Sequence, residues 1–210
     1  MTTNDDEQAK DEAHRQAMVE LKQKQLEERR KHTEKKGLLI VNTGNGKGKS
    51  TSGFGLAIRA VGQGFKVAVV QFTKGSWKTG EAKSFERFPE IDHFIVGDGF
   101  TWDTQNRQAD IASASEGFDL VEKLIEECRG ETPKYQLLVL DELNIVLRYE
   151  YLPVDRVVTA LSARPPMLHV CVTGRDAPAE LIAIADTVTE MNAVKHAYEA
   201  GIKAQRGIEF

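Results

Sequence analysis

Leu38-Leu39-Ile40-Val41-Asn42 runs without a break into Thr43-Gly44-Asn45-Gly46-Lys47-Gly48-Lys49-Ser50-Thr51. An apolar run that feeds a glycine-rich loop ending in Gly-Lys-Ser, and then an amphipathic segment, has the strand–loop–helix order that a phosphate-binding loop requires. Glycines let the backbone turn its N–H groups inward around phosphate oxygens. The helix start adds partial positive charge, Lys49 adds a full one, and the Ser50 hydroxyl can ligate magnesium. Gly44, Asn45, Gly46, Lys47, Gly48, Lys49, Ser50 and Thr51 are therefore the candidate nucleotide-binding residues. Thr43 stands where the common pattern has its first glycine, and Lys47 is a second lysine inside the loop. The stretch implies a nucleoside polyphosphate ligand.

Composition narrows the rest. A chain of 210 residues suits one domain with an appendage. The net charge of -4 argues against nucleic acid as the main partner. The N-terminus is charged throughout and lacks the apolar stretch of a signal peptide, and no apolar run approaches membrane-spanning length. Cys128 and Cys171 form no CxxC pair and are expected as buried free thiols, which fits a reducing, cytoplasmic setting. The five histidines are scattered without metal-ligand spacing.

Two regions are expected, a charged helical arm over 1–36 and an α/β domain over 37–210. From about Asp5 to Lys36 charges of both signs are dense and Gly and Pro are absent, so helix is favoured by propensity. The apolar stripe of Met18, Val19, Leu21 and Leu26 is too thin to dock firmly on a core. Either the arm is solvated and partly disordered, or it orders across a partner subunit or ligand. Beyond it, strands are expected at Leu38–Asn42, Lys66–Phe72, His93–Val96, Gln136–Leu140, His169–Thr173 and Thr187–Glu190. Helices are expected at Lys49–Val61, Thr79–Phe88, Gln105–Cys128, Val154–Ala163 and Pro178–Ala185. Strands alternating with helices imply a mostly parallel sheet covered on both faces.

In such sheets ligands bind beyond the carboxyl ends of the strands. The first strand ends in the phosphate loop, the second in Thr73-Lys74-Gly75 and the third in Gly97-Asp98-Gly99-Phe100-Thr101-Trp102. The fourth ends in Asp141-Glu142 and the fifth in Gly174-Arg175, so five loops converge on one rim. Asp141 and Glu142, delivered by the apolar Leu137-Leu138-Val139-Leu140, are candidate magnesium ligands. Glu142 could instead be the base that activates water. Phe100 and Trp102 either anchor their loop or form one wall of a pocket for a flat apolar ligand. Arg59 and Arg175 reach toward phosphates or are simply solvated.

Taken together, Thr43–Ser50, Gln71-Phe-Thr-Lys-Gly75, Gly99-Phe-Thr-Trp102, Leu140-Asp-Glu-Leu143, Thr173-Gly-Arg175 and the ending from Lys195 to Ile208 resemble the ATP:corrinoid adenosyltransferases of the phosphate-loop class. The resemblance implies a phosphate-loop NTPase-like (RecA-like) α/β fold with an N-terminal helical arm. It also implies transfer of the 5′-deoxyadenosyl group of ATP to a cobalt(I) corrinoid, with release of triphosphate, in adenosylcobalamin synthesis or salvage. Thr43 and Lys47 belong to this family's form of the loop, and Ser50 stands where members commonly carry threonine. By the same resemblance the loop residues bind ATP, with Arg59 kept as a further ATP-binding candidate from its place on the loop's helix, while Lys49 and Glu142 are catalytic. Ser50, Glu142 and Asp141 hold Mg2+, and Phe100 and Trp102 displace the lower axial ligand of cobalt(II). A homodimer, an arm that covers an active site and a reduced flavoprotein donor are likewise implied. The rival reading of the motifs is an ordinary phosphate-loop ATPase or kinase.

Overall fold

The computed structural model of the protein describes residues 3–72, 79–96 and 106–209, with side chains from residue 6 onward. The chain divides into two units, Met1–Lys35 and Lys36–Phe210. In the first, α1 (Thr3–Lys31) is one continuous helix. Its support is local. Glu12 pairs with Arg15 and Glu28 with Lys31 one turn apart, and Arg29, Arg30 and Lys31 sit at the carbonyl end, where positive charge is favoured. Met18, Val19, Leu21 and Leu26 are all exposed.

The second unit is built on six strands: β1 (Leu39–Thr43), β2 (Val67–Gln71), β3 (Ile91–Ile95), β4 (Leu137–Asp141), β5 (His169–Thr173) and β6 (Thr187–Glu190). They lie in the order β3-β2-β4-β5-β1-β6, with every neighbouring pair parallel. β5 thus separates the strand that feeds the phosphate loop from the strand that ends in Asp141. This is the RecA-like, phosphate-loop NTPase arrangement.

β2 and β4 are buried at every position, as strands covered on both faces must be. Successive side chains point to opposite faces. Leu138 and Leu140 join one core with Phe118, Val121 and Leu124 of α4 (Arg107–Glu126). Leu137 and Val139 join another with Phe54 and Ala57 of α2 (Lys49–Val61) and Phe85 of α3 (Gly80–Phe85). The first core is completed by Leu143, Val146 and Leu147 of α5 (Leu143–Arg148), Val157 and Leu161 of α6 (Val154–Ser162) and Leu181 of α7 (Ala179–Ile184). Cys128 and Cys171 are buried free thiols, and burial pushes the Cys171 thiol up to about 12. No helix among the described residues is long and apolar enough to cross a membrane.

Most expected elements stand within two residues of their observed limits, and α2, β5 and β6 match at both ends. Two differences have clear causes. The helix expected to reach Phe88 ends at Phe85, because Phe88 precedes Pro89 and a residue before proline is disfavoured in helical geometry. Thr79 lies outside that helix as its cap, its hydroxyl accepting from Ala82 N at 3.2 Å. The six-residue α5 was not expected at all. Its β-branched Ile145 and Val146 have weak helix propensity, and burial against the sheet holds the turn.

The base of the domain is fastened by Asp186. Its Oδ2 accepts from Leu39 N at 2.8 Å and lies 3.3 Å from Arg164, while Oδ1 pairs with Lys36 at 2.5 Å. The Lys36 bond, the Leu39 N–H and the nearby positive charges hold this carboxyl below its ordinary value of 3.8. A depressed carboxylate stabilises the fold above its unfolded pKa, and that contribution is lost as pH falls through the folded pKa. Asp186→Asn is therefore expected to cost about 1–3 kcal/mol at pH 7, the value of a hydrogen-bonded charge. The difference from the parent should shrink below the carboxylate range, as denaturant melts at neutral and acid pH will measure.

Candidate functional site

The carboxyl ends of β1, β2, β4 and β5 lie side by side, with Gln71 in register with Asp141 and Asn42 with Thr173. The phosphate loop leaves β1 at this rim. Gly48, which precedes α2, has φ of 108°, a left-handed conformation that glycine adopts without strain and that aims the next N–H groups along the start of the helix. The residues from Asn45 to Thr51 line a cavity of about 970 Å3, with Glu142 and Arg175 on its wall. All seven of those loop positions carry a backbone N–H, Lys47, Lys49, Ser50 and Thr51 add an ammonium or a hydroxyl, and none carries a carboxylate, which suits an anion.

Lys49 is buried. Its ammonium donates to the carbonyl of Gly46. Burial, and after it the charge of Arg175, lowers its pKa from the ordinary 10.5. The negative charge of a phosphate beside Lys49 and Arg175 would offset both effects and favour the charged ammonium. Arg175, ambiguous from sequence, thus belongs to the site. Lys47 is exposed and pairs with Glu209. One loop donor is already committed, since Gly46 N–H donates to Met191 O rather than into the cavity.

The acidic pair divides. Glu142 lines the cavity, and it caps α5 with φ of 62°. Asp141 is fully buried, and both of its oxygens accept side-chain bonds: Oδ2 from Gln71 Nε2 at 2.8 Å and Oδ1 from Thr173 Oγ1 at 2.7 Å. This geometry makes Asp141 a buried anchor beside Glu142, with both oxygens engaged by neighbouring side chains. Arg59 also stands apart. It is exposed in the last turn of α2, ten residues from Lys49, or about 15 Å along the axis at 1.5 Å per residue. Within one chain it does not join the loop. Phe100, Trp102 and Thr73-Lys74-Gly75 lie outside the described residues.

Two contributors escaped the reading of the sequence. Thr43 Oγ1 accepts from Ala177 N at 3.0 Å, so the residue that replaces the loop's usual first glycine ties the loop to the end of β5. The tail around the 3-10 turn Ala197–Ala200 brings His196, Tyr198, Ile208 and Glu209 to the same cavity. No periodicity marks that tail; its signal in the sequence is the Lys195–Ile208 ending that shares in the family resemblance.

Comparison with known proteins gives the family. Residues 35–210 match the family model described as ATP:corrinoid adenosyltransferase BtuR/CobO/CobP. A corrinoid adenosyltransferase of Pseudomonas aeruginosa is 50% identical over 202 residues, covering 96% of this chain and 97% of that one. The corrinoid adenosyltransferase CobA of Salmonella typhimurium is 44% identical, with 84% and 87% covered. One from Escherichia coli is 41% identical, with 95% and 99% covered. On these matches, spread over nearly the full length of each relative, the chain belongs to the ATP:corrinoid adenosyltransferase family.

Proposed function

We propose that this protein transfers the 5′-deoxyadenosyl group of ATP to the cobalt(I) centre of a corrinoid. The electron pair of cobalt(I) forms the cobalt–carbon bond at C5′, the C5′–O bond breaks, and its electrons leave with triphosphate. The observation that carries the reading is the cavity that joins the cationic phosphate loop to Glu142, in a chain of this family. Triphosphate is a leaving group of high charge. Lys49, Lys47, Arg175 and the N–H groups at the start of α2 stabilise that charge as it develops. Cobalt(I) is itself a strong nucleophile, so Glu142 has no proton to remove.

Mg2+ fits the donors present. Ser50 and Glu142 offer hard oxygen ligands on one cavity wall, and ATP supplies the rest. When bound, the ion would neutralise phosphate charge; Ser50 and Glu142 would hold it, with Asp141 bracing the turn behind Glu142. Family resemblance further supports a homodimer in which the 1–36 arm covers an active site, a reduced flavoprotein as electron donor, and action in the cytoplasm.

Product identity tests the reaction. Triphosphate that forms only with a reduced corrinoid supports it; ADP and phosphate as the main products would return the protein to the ATPase class. The resemblance also assigns Phe100 and Trp102 to the step before transfer. Phe100→Ala and Trp102→Ala should leave ATP affinity within about threefold of the parent, because the loop is untouched. Turnover with a weak reductant should collapse, while turnover with pre-formed cobalt(I) should largely survive. Equal losses under both conditions would contradict a role in reduction.

A further inference from the structure

We propose that Thr173 is the positioning residue that aims the Glu142 carboxylate at the metal site, an inference that rests on the reading of Glu142 as a magnesium ligand. Glu142 has a φ of 62°, a left-handed conformation that residues with a Cβ rarely adopt. Something must hold it there. Its N–H donates to Thr173 Oγ1 at 3.1 Å, and the same hydroxyl donates to Asp141 Oδ1 at 2.7 Å. One hydroxyl thus uses its donor on the buried carboxylate and its acceptor on the backbone of the cavity-lining one.

The bond network extends across the sheet. Gln71 donates to the other Asp141 oxygen at 2.8 Å, and Gln71 Oε1 meets His93 Nε2 at 2.7 Å. Residues of β3, β2, β4 and β5 are therefore linked in one row whose last bond is to Glu142 N–H. Thr173 is fully buried, so water does not compete for its hydroxyl.

The methyl group of Thr173 has a separate contact. A Cβ added at Gly53 of α2 would lie 3.2 Å from Thr173 Cγ2, so the helix passes close over this side chain. That helix carries Ser50, the other candidate oxygen donor. Thr173 braces both: its methyl lies under the helix bearing Ser50, and its hydroxyl holds the turn bearing Glu142. Outer partners of this kind fix the spacing of ligands they never replace.

Calorimetry with ATP alone, without corrinoid, tests this. The readout is the factor by which Mg2+ tightens ATP binding relative to binding in EDTA. Thr173→Val keeps the methyl contact and removes the hydroxyl. It should reduce that factor by about tenfold, the low end for loss of an outer partner, with metal-free ATP affinity unchanged. Thr173→Ser keeps the hydroxyl and should retain the factor. A folded Thr173→Val protein with the parent's Mg2+ enhancement would overturn the proposal. If that variant does not fold, Thr173→Ala, which like Thr173→Ser lacks the methyl, decides: about a tenfold loss in the alanine variant beside a retained factor in the serine variant supports the role of the hydroxyl, and equal factors in the two refute it. Glu142→Gln with an undiminished factor would sink the reading of Glu142 itself, a result distinct from any behaviour of Thr173.

Discussion

Lys49→Ala is expected to lower the rate of adenosyl transfer by about 100- to 1,000-fold, the loss typical when one preorganised charge stabiliser is removed. The ground state should suffer less. A charge-assisted hydrogen bond is worth about 1.5–3 kcal/mol, so ATP affinity should fall by roughly one to two powers of ten. The difference arises because negative charge grows on the leaving triphosphate as the C5′–O bond breaks, and Lys49 lies at the start of α2 inside the cavity. The fold should survive the change. Burial already opposes the Lys49 charge, and removing a desolvated ammonium relieves that cost. Single-turnover rates with pre-reduced corrinoid, set beside a thermal melt, will separate the two effects. A variant that melts with the parent and turns over at the parent's rate would remove Lys49 from the mechanism.

Glu142→Gln is expected to lower transfer by about 10- to 100-fold and to raise the Mg2+ concentration needed for half-maximal rate. The amide keeps the size of the side chain and the bond from Glu142 N–H to Thr173, so the turn should stay in place. What is lost is one anionic oxygen on the cavity wall. The discriminating feature is the metal dependence. If Glu142 were a general base, the rate would fall at every Mg2+ concentration and excess metal would restore nothing. If it is a ligand, high Mg2+ should recover a substantial part of the rate.

The loop announced itself in the sequence because each of its jobs needs a particular residue type in a fixed order. Glycine is needed at positive φ, lysine at the phosphates and a hydroxyl at the helix start. The strands were legible for a similar reason. Leu137–Leu140 and Val67–Val70 are buried on both faces and therefore read as unbroken apolar runs. The short α5 was not legible, because tertiary burial and not local propensity makes it a helix.

The site was less transparent than the fold. Asp141 and Glu142 are neighbours with the same chemistry, and only the sheet register separates them. Asp141 is still in β4, between Gln71 and Thr173, whereas Glu142 has left the strand and turns toward the loop. Arg59 was open between a phosphate contact and a solvated side chain, and helical rise sets it about 15 Å along the axis from Lys49 within its own chain. Met191 and Thr43 brace the loop through bonds that involve the backbone, and such bonds leave little trace in residue type. The charges that matter could be found by composition, but the groups that hold them in position could not.

In the proposed reaction ATP lies on this loop with C5′, not a phosphorus atom, exposed to the nucleophile. ATP carrying heavy oxygen at the bridge between C5′ and the α-phosphorus tests it in one experiment with pre-reduced corrinoid. The label should appear wholly in triphosphate, one for each corrinoid adenosylated, because the carbon–oxygen bond is the one that breaks. Label retained in ADP or AMP, with unlabelled phosphate or diphosphate beside it, would mean attack at phosphorus and would contradict the account.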